Sequence, residues 1–230
     1  KIIGGVGPKS ASRASEIMGI LGGEIIVVSN ARTAEMCKLL DNSYRMTRFG
    51  FSADAASVAW RNGIDAYEAI KAANFDYDRN DIPLPSIGVS GYCLTKDPYY
   101  FDAGAKEIWE TRGFRSTWIC ARKAADYQID EAMDRIENEL GGMEGKNCVV
   151  AGATYKEGVG DIRLSHGRRI AKLISDKGAS VEFWDPVVDE TNIDGFVVNK
   201  GPSCLAGARL LVISVPHEEF KEWANEPREI

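Results

Sequence analysis

The sequence predicts an α/β protein in which an all-α central domain precedes a doubly wound, parallel α/β domain. Two observations lead to this fold class. Helical periodicity fills residues 30–140, and strands alternate with helices over short connections from residue 141 to residue 230. Residues 1–29 show a shorter strand–helix–strand pattern, which we interpret as the remnant of an N-terminal α/β domain. The predicted domain boundaries therefore fall after residues 29 and 140.

The first 29 residues begin directly with a strand signal, without an initiator methionine or a disordered leader. Lys1–Gly4 predicts a short strand, Pro8–Leu21 a helix and Glu24–Ser29 a second, apolar strand. The chain also ends abruptly at Pro227–Ile230, where a further strand could begin. We therefore expect this sequence to be a fragment of a longer protein.

The central block is predicted to consist of helices on either side of an irregular segment. Pro83 and Pro85 indicate that residues 75–92 form a loop, because neither residue fits a helix interior. The predicted helices are Thr33–Asn62, Asp65–Ala73, Asp97–Thr111 and Phe114–Leu140. The first of them carries apolar residues on roughly one face, namely Met36, Leu40, Phe51, Ala55 and Val58.

Glycines at residues 141–146 mark the clearest linker of the chain. Strand–helix–strand units follow it, and alternation of this kind predicts a parallel sheet. The predicted strands are Cys148–Ala151, Val181–Trp184 and Leu210–Val215, and the predicted helix is Ser165–Lys177.

The composition excludes several classes of function. A net charge of −6 without any basic block argues against a nucleic-acid partner. Five cysteines without CxxC spacing predict neither a disulfide framework nor a zinc site, and they fit a reducing cytoplasmic location. His166 and His217 are isolated, so we expect surface or capping roles for them and no metal site. No apolar run has transmembrane length, so no membrane partner is expected.

The stretch Gly88–Pro98 is the most informative part of the chain. It places the Cys93 thiol on a glycine-rich turn, followed within four residues by Lys96 and Asp97 and by a helix whose first turn Pro98 marks. A nearby cation and a helix N-terminus both stabilise a thiolate, so the stretch predicts a reactive sulfur. The alternative is a small apolar residue beside a turn, as most free cysteines are.

The turn after the predicted strand Cys148–Ala151 runs from Gly152 to Arg163, at the strand end where open α/β sheets bind ligands. It lacks a GxGxxG fingerprint, and the acidic Asp185 follows by more than the usual spacing of about 20 residues. The pyrophosphate of a dinucleotide is therefore not predicted here. Lys156 and Arg163 could hold a phosphate, and an ordinary solvated loop is an equally good interpretation.

Two further groups are candidates for ligand contacts. Lys38 and Asn42 lie four residues apart on one predicted helix face and could together stabilise an oxyanion, although most such pairs are simply a polar face. Arg79, in the irregular segment, could clamp a phosphate or a sugar.

Three blocks in this order resemble the nucleotide-sugar 6-dehydrogenases, which act on UDP-glucose, UDP-N-acetylhexosamines or GDP-mannose. Thr33–Arg45 resembles their AE-x-x-KL-x-x-N helix, and Gly88–Pro98 resembles their G-x-GG-x-C-x-x-KD loop. Gly152–Ser165 resembles their G-x-x-(F/Y)-K-x-x-x-x-D-x-R-x-S loop. The resemblance spans nearly the whole chain and implies a Rossmann-like C-terminal domain that binds the UDP-sugar. It also implies a central domain that forms a homodimer.

The resemblance implies a four-electron oxidation of a sugar C6 alcohol to the acid, with two NAD+ per turnover. Cys93 would attack the aldehyde-level intermediate, and the thiohemiacetal would be oxidised to a thioester that water hydrolyses. Lys38, Asn42 and Asp97 match residues that hold the catalytic water and stabilise the oxyanion.

The same resemblance assigns the remaining site residues. One of them, an arginine, would reach the substrate from the partner subunit. The predicted substrate-binding residues are Arg79, which is the arginine that would come from the partner subunit, Gly88, Tyr155 and Lys156. The predicted residues near the NAD cofactor are Lys96 and Arg163.

Departures from the family pattern leave several questions open. We expect this sequence to lack most of the N-terminal NAD-binding domain, and we therefore expect the chain alone to be inactive. Ser90 stands where the motif has glycine, which bears on how closely a substrate can approach. Asp97–Tyr100 resembles the N-acetylhexosamine branch, whereas Lys96 favours the glucose branch. A GDP-mannose dehydrogenase and a non-catalytic nucleotide-binding or dimerising module are the alternatives.

Overall fold

A computed structural model describes residues 1–220. The helices in this range are α1 (Pro8–Gly19), α2 (Ala31–Arg61), α3 (Ala66–Asn74), α4 (Tyr92–Ala103), α5 (Lys106–Arg112), α6 (Thr117–Leu140) and α7 (His166–Asp176). The strands are β1 (Ile2–Ile3), β2 (Ile26–Val27), β3 (Asn147–Ala151), β4 (Ser180–Trp184), β5 (Asn192–Ile193), β6 (Phe196–Asn199) and β7 (Leu210–Ile213). Short 3₁₀ turns lie at Pro202–Leu205 and Glu218–Phe220.

The N-terminal segment forms a small β–α–β unit. β1 and β2 pair in parallel, with α1 as the crossover between them. The Asn30 side chain accepts a hydrogen bond from the amide of Thr33 and caps α2 directly after this unit. The predicted strand–helix–strand order is therefore present, although both strands are shorter than expected.

The long helix α2 is the centre of the helical part and packs against α4 and α6. Close approach of α2 and α6 depends on Gly50, because a Cβ atom there would collide with Ala121. Met46, Leu94 and Ala125 form a small core where the three helices meet. This packing brings the polar side chains at the start of α2 to the start of α4.

The C-terminal sheet has the strand order β5-β6-β4-β3-β7. β3, β4, β6 and β7 are mutually parallel, and β5 forms an antiparallel hairpin with β6. One face of the sheet is covered by α6 and α7, and the other by the 3₁₀ turn Pro202–Leu205 and Phe220. The predicted α/β fold class with a parallel-dominated sheet is confirmed.

Helix α6 belongs to the packing of both parts. It contacts α2 from Ala121 to Arg135, while Ile129 and Met133 join the core of the C-terminal sheet. Met143, in the predicted linker, is also buried in that core. The two parts therefore share one helix, and residues 221–230 of the predicted C-terminal domain lie outside the described residues.

Two predictions about the start of the thiol-bearing helix were wrong. α4 begins at Tyr92 rather than near Asp97, because Gly91 adopts a φ of 98° and ends the loop there. Pro98 is therefore inside the helix and not in its first turn, where proline is most common. The predicted single helix Asp97–Thr111 is also divided in two, with Gly104 ending α4.

One prediction about the histidines was wrong as well. His217 is fully buried rather than at the surface. Its hydrogen-bond partners, Thr154 and Gly158, lie about 60 positions earlier in the chain, so no local pattern indicates this position. In the described residues 1–220, no helix is long and apolar enough to cross a membrane, and no group of His, Cys, Asp and Glu is arranged to hold a metal ion.

Candidate active site

Cys93 lies in the first turn of α4 and its side chain is exposed. Lys96 and Asp97 follow it by three and four residues, so all three share one face of the helix. The positive end of the helix dipole and the Lys96 ammonium are thus both on the thiol side of α4. The Cys93 sulfur can therefore be reached from solvent.

Four polar side chains form a continuous hydrogen-bonded string beside Cys93, which we call the Asn42–Asp97 cluster (Lys38, Asn42, Lys96 and Asp97). The Lys38 ammonium donates to Asn42 Oδ1 at 3.3 Å, and Asn42 Nδ2 donates to Asp97 Oδ2 at 2.5 Å. The Lys96 ammonium donates to the other oxygen, Asp97 Oδ1, at 2.5 Å. The structure therefore brings together four residues that are separated by up to 59 positions in the sequence.

The cluster has a buried middle and two exposed ends. Asn42 is 0% and Asp97 4% exposed, whereas the side chains of Lys38 and Lys96 are 60% and 44% exposed. Hydrogen bonding to Asp97 raises the pKa of Lys96, against a smaller opposing effect of desolvation. Lys96 also lies over the Tyr100 ring, with its ammonium 5.2 Å from the ring centroid. The arrangement places one ammonium group at each exposed end of the buried Asn42–Asp97 pair, and one of the two, Lys96, is on the helix that carries the thiol.

The loop that leads to Cys93 (residues 86–91) is held from the side of α6. Arg122, which is 2% exposed, donates to the carbonyl of Val89 at 3.0 Å and pairs with Asp126 on its own helix. Gly88 has a φ of 93°, and a Cβ atom there would lie 2.7 Å from Ile129 Cδ1. Gly88 thus serves the close packing of the loop against α6, and its predicted substrate contact stays a prediction.

The backbone of the loop between β3 and α7 (residues 152–165, the β3–α7 loop) is held by three buried polar side chains, which we call the buried base (Asp185, Thr154 and His217). Asp185, at the end of β4, accepts the backbone amides of Ala153 and Thr154 with one oxygen and those of Val187 and Val188 with the other. These four hydrogen bonds measure 2.7–3.3 Å, and Asp185 has no exposed surface. The carboxylate therefore fixes two neighbouring loops at the carboxyl edge of the sheet.

His217 completes this base from the segment after β7. Its Nδ1 accepts the amide of Gly158 at 3.3 Å, so Nε2 carries the ring proton and faces Thr154 Oγ1 at 2.9 Å. Thr154 Oγ1 in turn donates to the carbonyl of Lys156 at 3.2 Å. The backbone around Lys156 is thereby held while the Lys156 side chain is exposed.

The predicted ligand-contacting residues of the β3–α7 loop point outward from that base. Tyr155 is partly buried, and a Cβ atom built at Gly91 would lie 3.4 Å from its ring, so it adjoins the start of α4. Arg163 is exposed and pairs with Asp161 through two hydrogen bonds from Nε and one from Nη2. This pairing lowers the pKa of Asp161 to about 2 and raises that of Arg163.

Arg79 is not brought to the cluster. It lines a cavity between α2 and the 79–83 segment, and its guanidinium lies 6.0 Å from the centroid of the Tyr77 ring. The residues around this cavity include Tyr44, Arg48 and Phe51 but no member of the Asn42–Asp97 cluster. A contact of Arg79 with a partner's substrate stays a prediction.

The described residues do not fit a dinucleotide at the C-terminal sheet. The acidic residue that ends the second strand of a nucleotide-binding sheet normally meets a ribose, but Asp185 is enclosed by its own backbone donors. At Gly152, which has a φ of 93°, a Cβ atom would lie 2.8 Å from Val215, so the turn after β3 requires glycine.

Sequence reasoning missed four residues that organise the site: Ser90, Arg122, His166 and His217. No local pattern identifies them, because each has its partner in a different element. In the sequence, Ser90 is only a departure from a motif, and the two histidines are isolated. Asp185 stands out by its spacing, but its four backbone contacts cannot be inferred from that spacing.

Two models of one family match most of the chain. The central domain of the UDP-glucose/GDP-mannose dehydrogenase family matches residues 32–117, and the UDP binding domain of the same family matches residues 149–228. Among curated relatives, UDP-N-acetyl-D-mannosamine dehydrogenases from Pyrococcus horikoshii and Escherichia coli K12 are each 32% identical over 96% of this chain. The chain spans only 51% and 54% of their lengths.

Solved structures agree with these matches. The UDP-D-ManNAc dehydrogenase of Pyrococcus horikoshii superposes with a TM-score of 0.79 at 30% identity, covering 97% of this chain and 52% of that one. The UDP-glucose dehydrogenase of Pyrobaculum islandicum superposes with a TM-score of 0.80 at 23% identity, covering 95% of this chain and 51% of that one, and shares the fold. The chain belongs to the UDP-glucose/GDP-mannose dehydrogenase family.

Proposed function

We propose that this chain supplies the nucleophile and the sugar-nucleotide site of an NAD-dependent UDP-sugar 6-dehydrogenase. The observation that carries the proposal is the Asn42–Asp97 cluster, which joins α2 to α4 beside the exposed thiol of Cys93. The oxidation takes the C6 alcohol of the sugar to a carboxylate. It therefore removes four electrons from one carbon.

The chain's own residues account for the covalent steps at that carbon. Loss of a first hydride and of the hydroxyl proton from the C6 alcohol gives the aldehyde. The Cys93 thiolate adds to this aldehyde and forms a carbon–sulfur bond, which leaves a negative charge on the former carbonyl oxygen. Loss of a hydride from this adduct gives a thioester. Water then attacks the thioester, the carbon–sulfur bond breaks, and Cys93 leaves as a thiolate while the sugar acid is released.

The two lysines of the cluster suit the charge that develops in both additions. Their ammonium groups lie at the exposed ends of the string, and preorganised cations stabilise an oxyanion at little cost in reorganisation. Asn42 and Asp97 are too buried to meet a bulky sugar, so we assign them to hold these cations and to receive a water molecule at the edge of the cluster.

NAD is the proposed hydride acceptor, two per sugar oxidised. In the described residues, the acidic side chain that would meet an NAD ribose at this sheet, Asp185, is instead enclosed by backbone donors. We expect the NAD site to be supplied by polypeptide other than this sheet. Lys96 and Arg163, whose side chains are exposed, are proposed to face the cofactor.

The nucleotide is proposed to bind at the β3–α7 loop, with Tyr155 against the base or ribose and Lys156 on a phosphate. Gly88 is proposed to line the sugar site. Because the curated relatives are named UDP-N-acetyl-D-mannosamine dehydrogenases, we propose this N-acetylhexosamine as the first sugar to test, with UDP-glucose and GDP-mannose as alternatives.

A second copy of the chain is the proposed partner, bound through α2. This helix is apolar on two sides: Met46, Gly50 and Ala53 face α4 and α6, while the opposite stripe is exposed. The exposed stripe consists of Met36, Leu40, Tyr44, Phe51 and Val58. A self-complementary stripe on a 31-residue helix suits a two-fold dimer, which would also give Arg79 a partner's site to reach.

Thermal unfolding with a panel of ligands tests the nucleotide site. A UDP-sugar at 100 times its Kd is expected to stabilise the folded chain by about 2.7 kcal/mol, since it binds only the folded state. GDP-mannose and NAD+ at equal concentration are expected to give no shift. A panel in which no UDP-sugar stabilises the chain contradicts the proposal, and a shift with NAD+ alone contradicts the assignment of the cofactor to other polypeptide.

Alkylation distinguishes the dehydrogenase from a non-catalytic nucleotide-binding module. We expect iodoacetamide at neutral pH to modify Cys93 faster than Cys120, which is also exposed but lies on α6, outside the cluster. Equal rates at the two thiols would favour the non-catalytic module.

A further inference from the structure

A histidine connects the loop before Cys93 to the C-terminal sheet. His166 is the first residue of α7, and both of its ring nitrogens are engaged. Nδ1 lies 2.8 Å from Ser90 Oγ, and Nε2 lies 2.7 Å from the carbonyl oxygen of Ser214 after β7. This bridge joins residues that are 76 and 48 positions apart in the chain.

The chemistry of the partners fixes the direction of both hydrogen bonds. The Ser214 carbonyl can only accept, so Nε2 carries the ring proton and donates it. Nδ1 of the neutral ring then has a lone pair and accepts the Ser90 hydroxyl proton. Burial favours this neutral form, since desolvation lowers the pKa of His166, against a smaller opposing contribution from the Ser214 carbonyl.

Ser90 is placed where it can affect both halves of the proposed site. It directly precedes Gly91, the N-cap of α4, and lies three residues before Cys93. The same hydroxyl lies 3.2 Å from the carbonyl oxygen of Tyr155 in the β3–α7 loop, so its single proton is shared between this acceptor and His166 Nδ1. One serine thus contacts the loop proposed for the nucleotide while sitting next to the helix that carries the thiol.

The opposite side of the 86–91 loop is held separately. Two residues of α6 hold this side: Arg122 donates to the carbonyl of Val89, and Ile129 packs against Gly88. These contacts set the position of the loop relative to the helical part. The bridge through His166 sets it relative to the sheet and the β3–α7 loop, which are the elements a bound nucleotide would touch.

We propose that Ser90 and His166 are positioning residues, which fix Cys93 relative to a nucleotide diphosphate bound at Tyr155 and Lys156. Through them, nucleotide occupancy alters the exposure of the thiol. The inference builds on the proposed function, because it requires the β3–α7 loop to be the nucleotide site. It adds to that function a mechanical connection between the nucleotide loop and the nucleophile.

The test measures the rate of Cys93 alkylation by iodoacetamide in the full chain, with and without saturating UDP. UDP is expected to change this rate in the unaltered chain, and Cys120 serves as the internal reference. Ser90→Ala and His166→Phe are each expected to reduce the UDP effect about 2- to 10-fold, the range that corresponds to one hydrogen bond. The double variant is expected to show no further loss, because both changes remove the same bridge.

Two conservative variants separate the bridge from general packing. His166→Asn can place an amide oxygen near the position of Nδ1 and is expected to retain most of the UDP effect. His166→Gln places its amide near Nε2, keeps a donor for Ser214, and is expected to lose the effect. A packing role alone predicts that both variants behave alike, which would overturn the proposal.

The outcomes also distinguish this inference from the proposed function. UDP affinity is measured in parallel for every variant by thermal shift. Absence of UDP binding to the unaltered chain would overturn the nucleotide site and the inference together. UDP binding with an unchanged Cys93 rate, or with the same rate change in all variants, would overturn the positioning role and leave the nucleotide site intact.

Discussion

The two parts of the proposed site are built in opposite ways. In the Asn42–Asp97 cluster, the functional side chains bond directly to one another across two helices, and the middle of the string is buried. In the β3–α7 loop, a buried base of Asp185, Thr154 and His217 holds the backbone, and the side chains of Lys156 and Arg163, which we propose as ligand contacts, are exposed. Substitutions in the first part should therefore alter stability and chemistry together. In the second part, these two effects should fall on different residues.

The largest effect on stability is expected from Asp185→Ala. Four backbone amides lose their acceptor at a position without exposed surface, and His217 loses a carboxylate 3.4 Å from its Nε2. We expect the free energy of unfolding to fall by about 3–5 kcal/mol. Urea titration measures it, with Asp189→Ala as the control, because Asp189 is exposed and only four residues away. Equal effects of the two substitutions would show that the buried base does not hold the loop.

A smaller loss is expected from Asn42→Leu in the cluster. Leucine has a similar size but removes the donor to Asp97 and the acceptor for Lys38. We expect the free energy of unfolding to fall by about 1–3 kcal/mol, the cost of leaving a buried polar group without its partner. The exposed neighbour Asp41→Ala serves as the reference in the same urea titration. If Asn42→Leu is neutral and the thiol keeps its alkylation rate, the cluster does not organise this site.

The longer strands and the helix of the C-terminal sheet can be predicted from the sequence. β3, α7, β4 and β7 match their predicted ranges to within a few residues, because apolar strand runs and helical periodicity are local signals. The hairpin of β5 and β6 was missed, although Asp194-Gly195 between them is a turn signal and both residues have positive φ. Only two residues of β5 pair, which is too short for a periodic pattern.

In the candidate site too, local spacing can be predicted from the sequence and tertiary contacts cannot. The i, i+4 spacing places Lys38 and Asn42 on one face, and the spacing around Cys93 places Lys96 and Asp97 beside the thiol. That Asn42 meets Asp97 depends on the packing of α2 against α4, which no local pattern encodes. For the same reason the two histidines look isolated in the sequence, since their partners are determined by the sheet and not by their neighbours.

A pH-dependent effect is expected at the junction of the two parts. Burial lowers the pKa of His166, so below about pH 6.5, the ordinary pKa of histidine, the unfolded chain takes up a proton that the folded chain resists. The contribution of His166 to stability is therefore present above about pH 6.5 and is lost as the pH falls through the lowered pKa. His166→Gln removes this dependence. The difference in unfolding free energy between the two proteins should shrink from about pH 8 to about pH 5, and a constant difference would contradict it.

The smallest effect on stability, and the sharpest separation of stability from binding, is expected from Lys156→Met. The side chain is exposed and the loop backbone is held by the buried base, so the free energy of unfolding should change by less than about 0.5 kcal/mol. Loss of a charged hydrogen bond to phosphate should weaken UDP binding by about 10- to 100-fold. Lys172→Met, an exposed lysine on α7, is the matched control. UDP affinity is measured by calorimetry, and equal affinities of the two variants would remove Lys156 from the nucleotide site. A large loss of stability in Lys156→Met would show that the β3–α7 loop is built like the Asn42–Asp97 cluster.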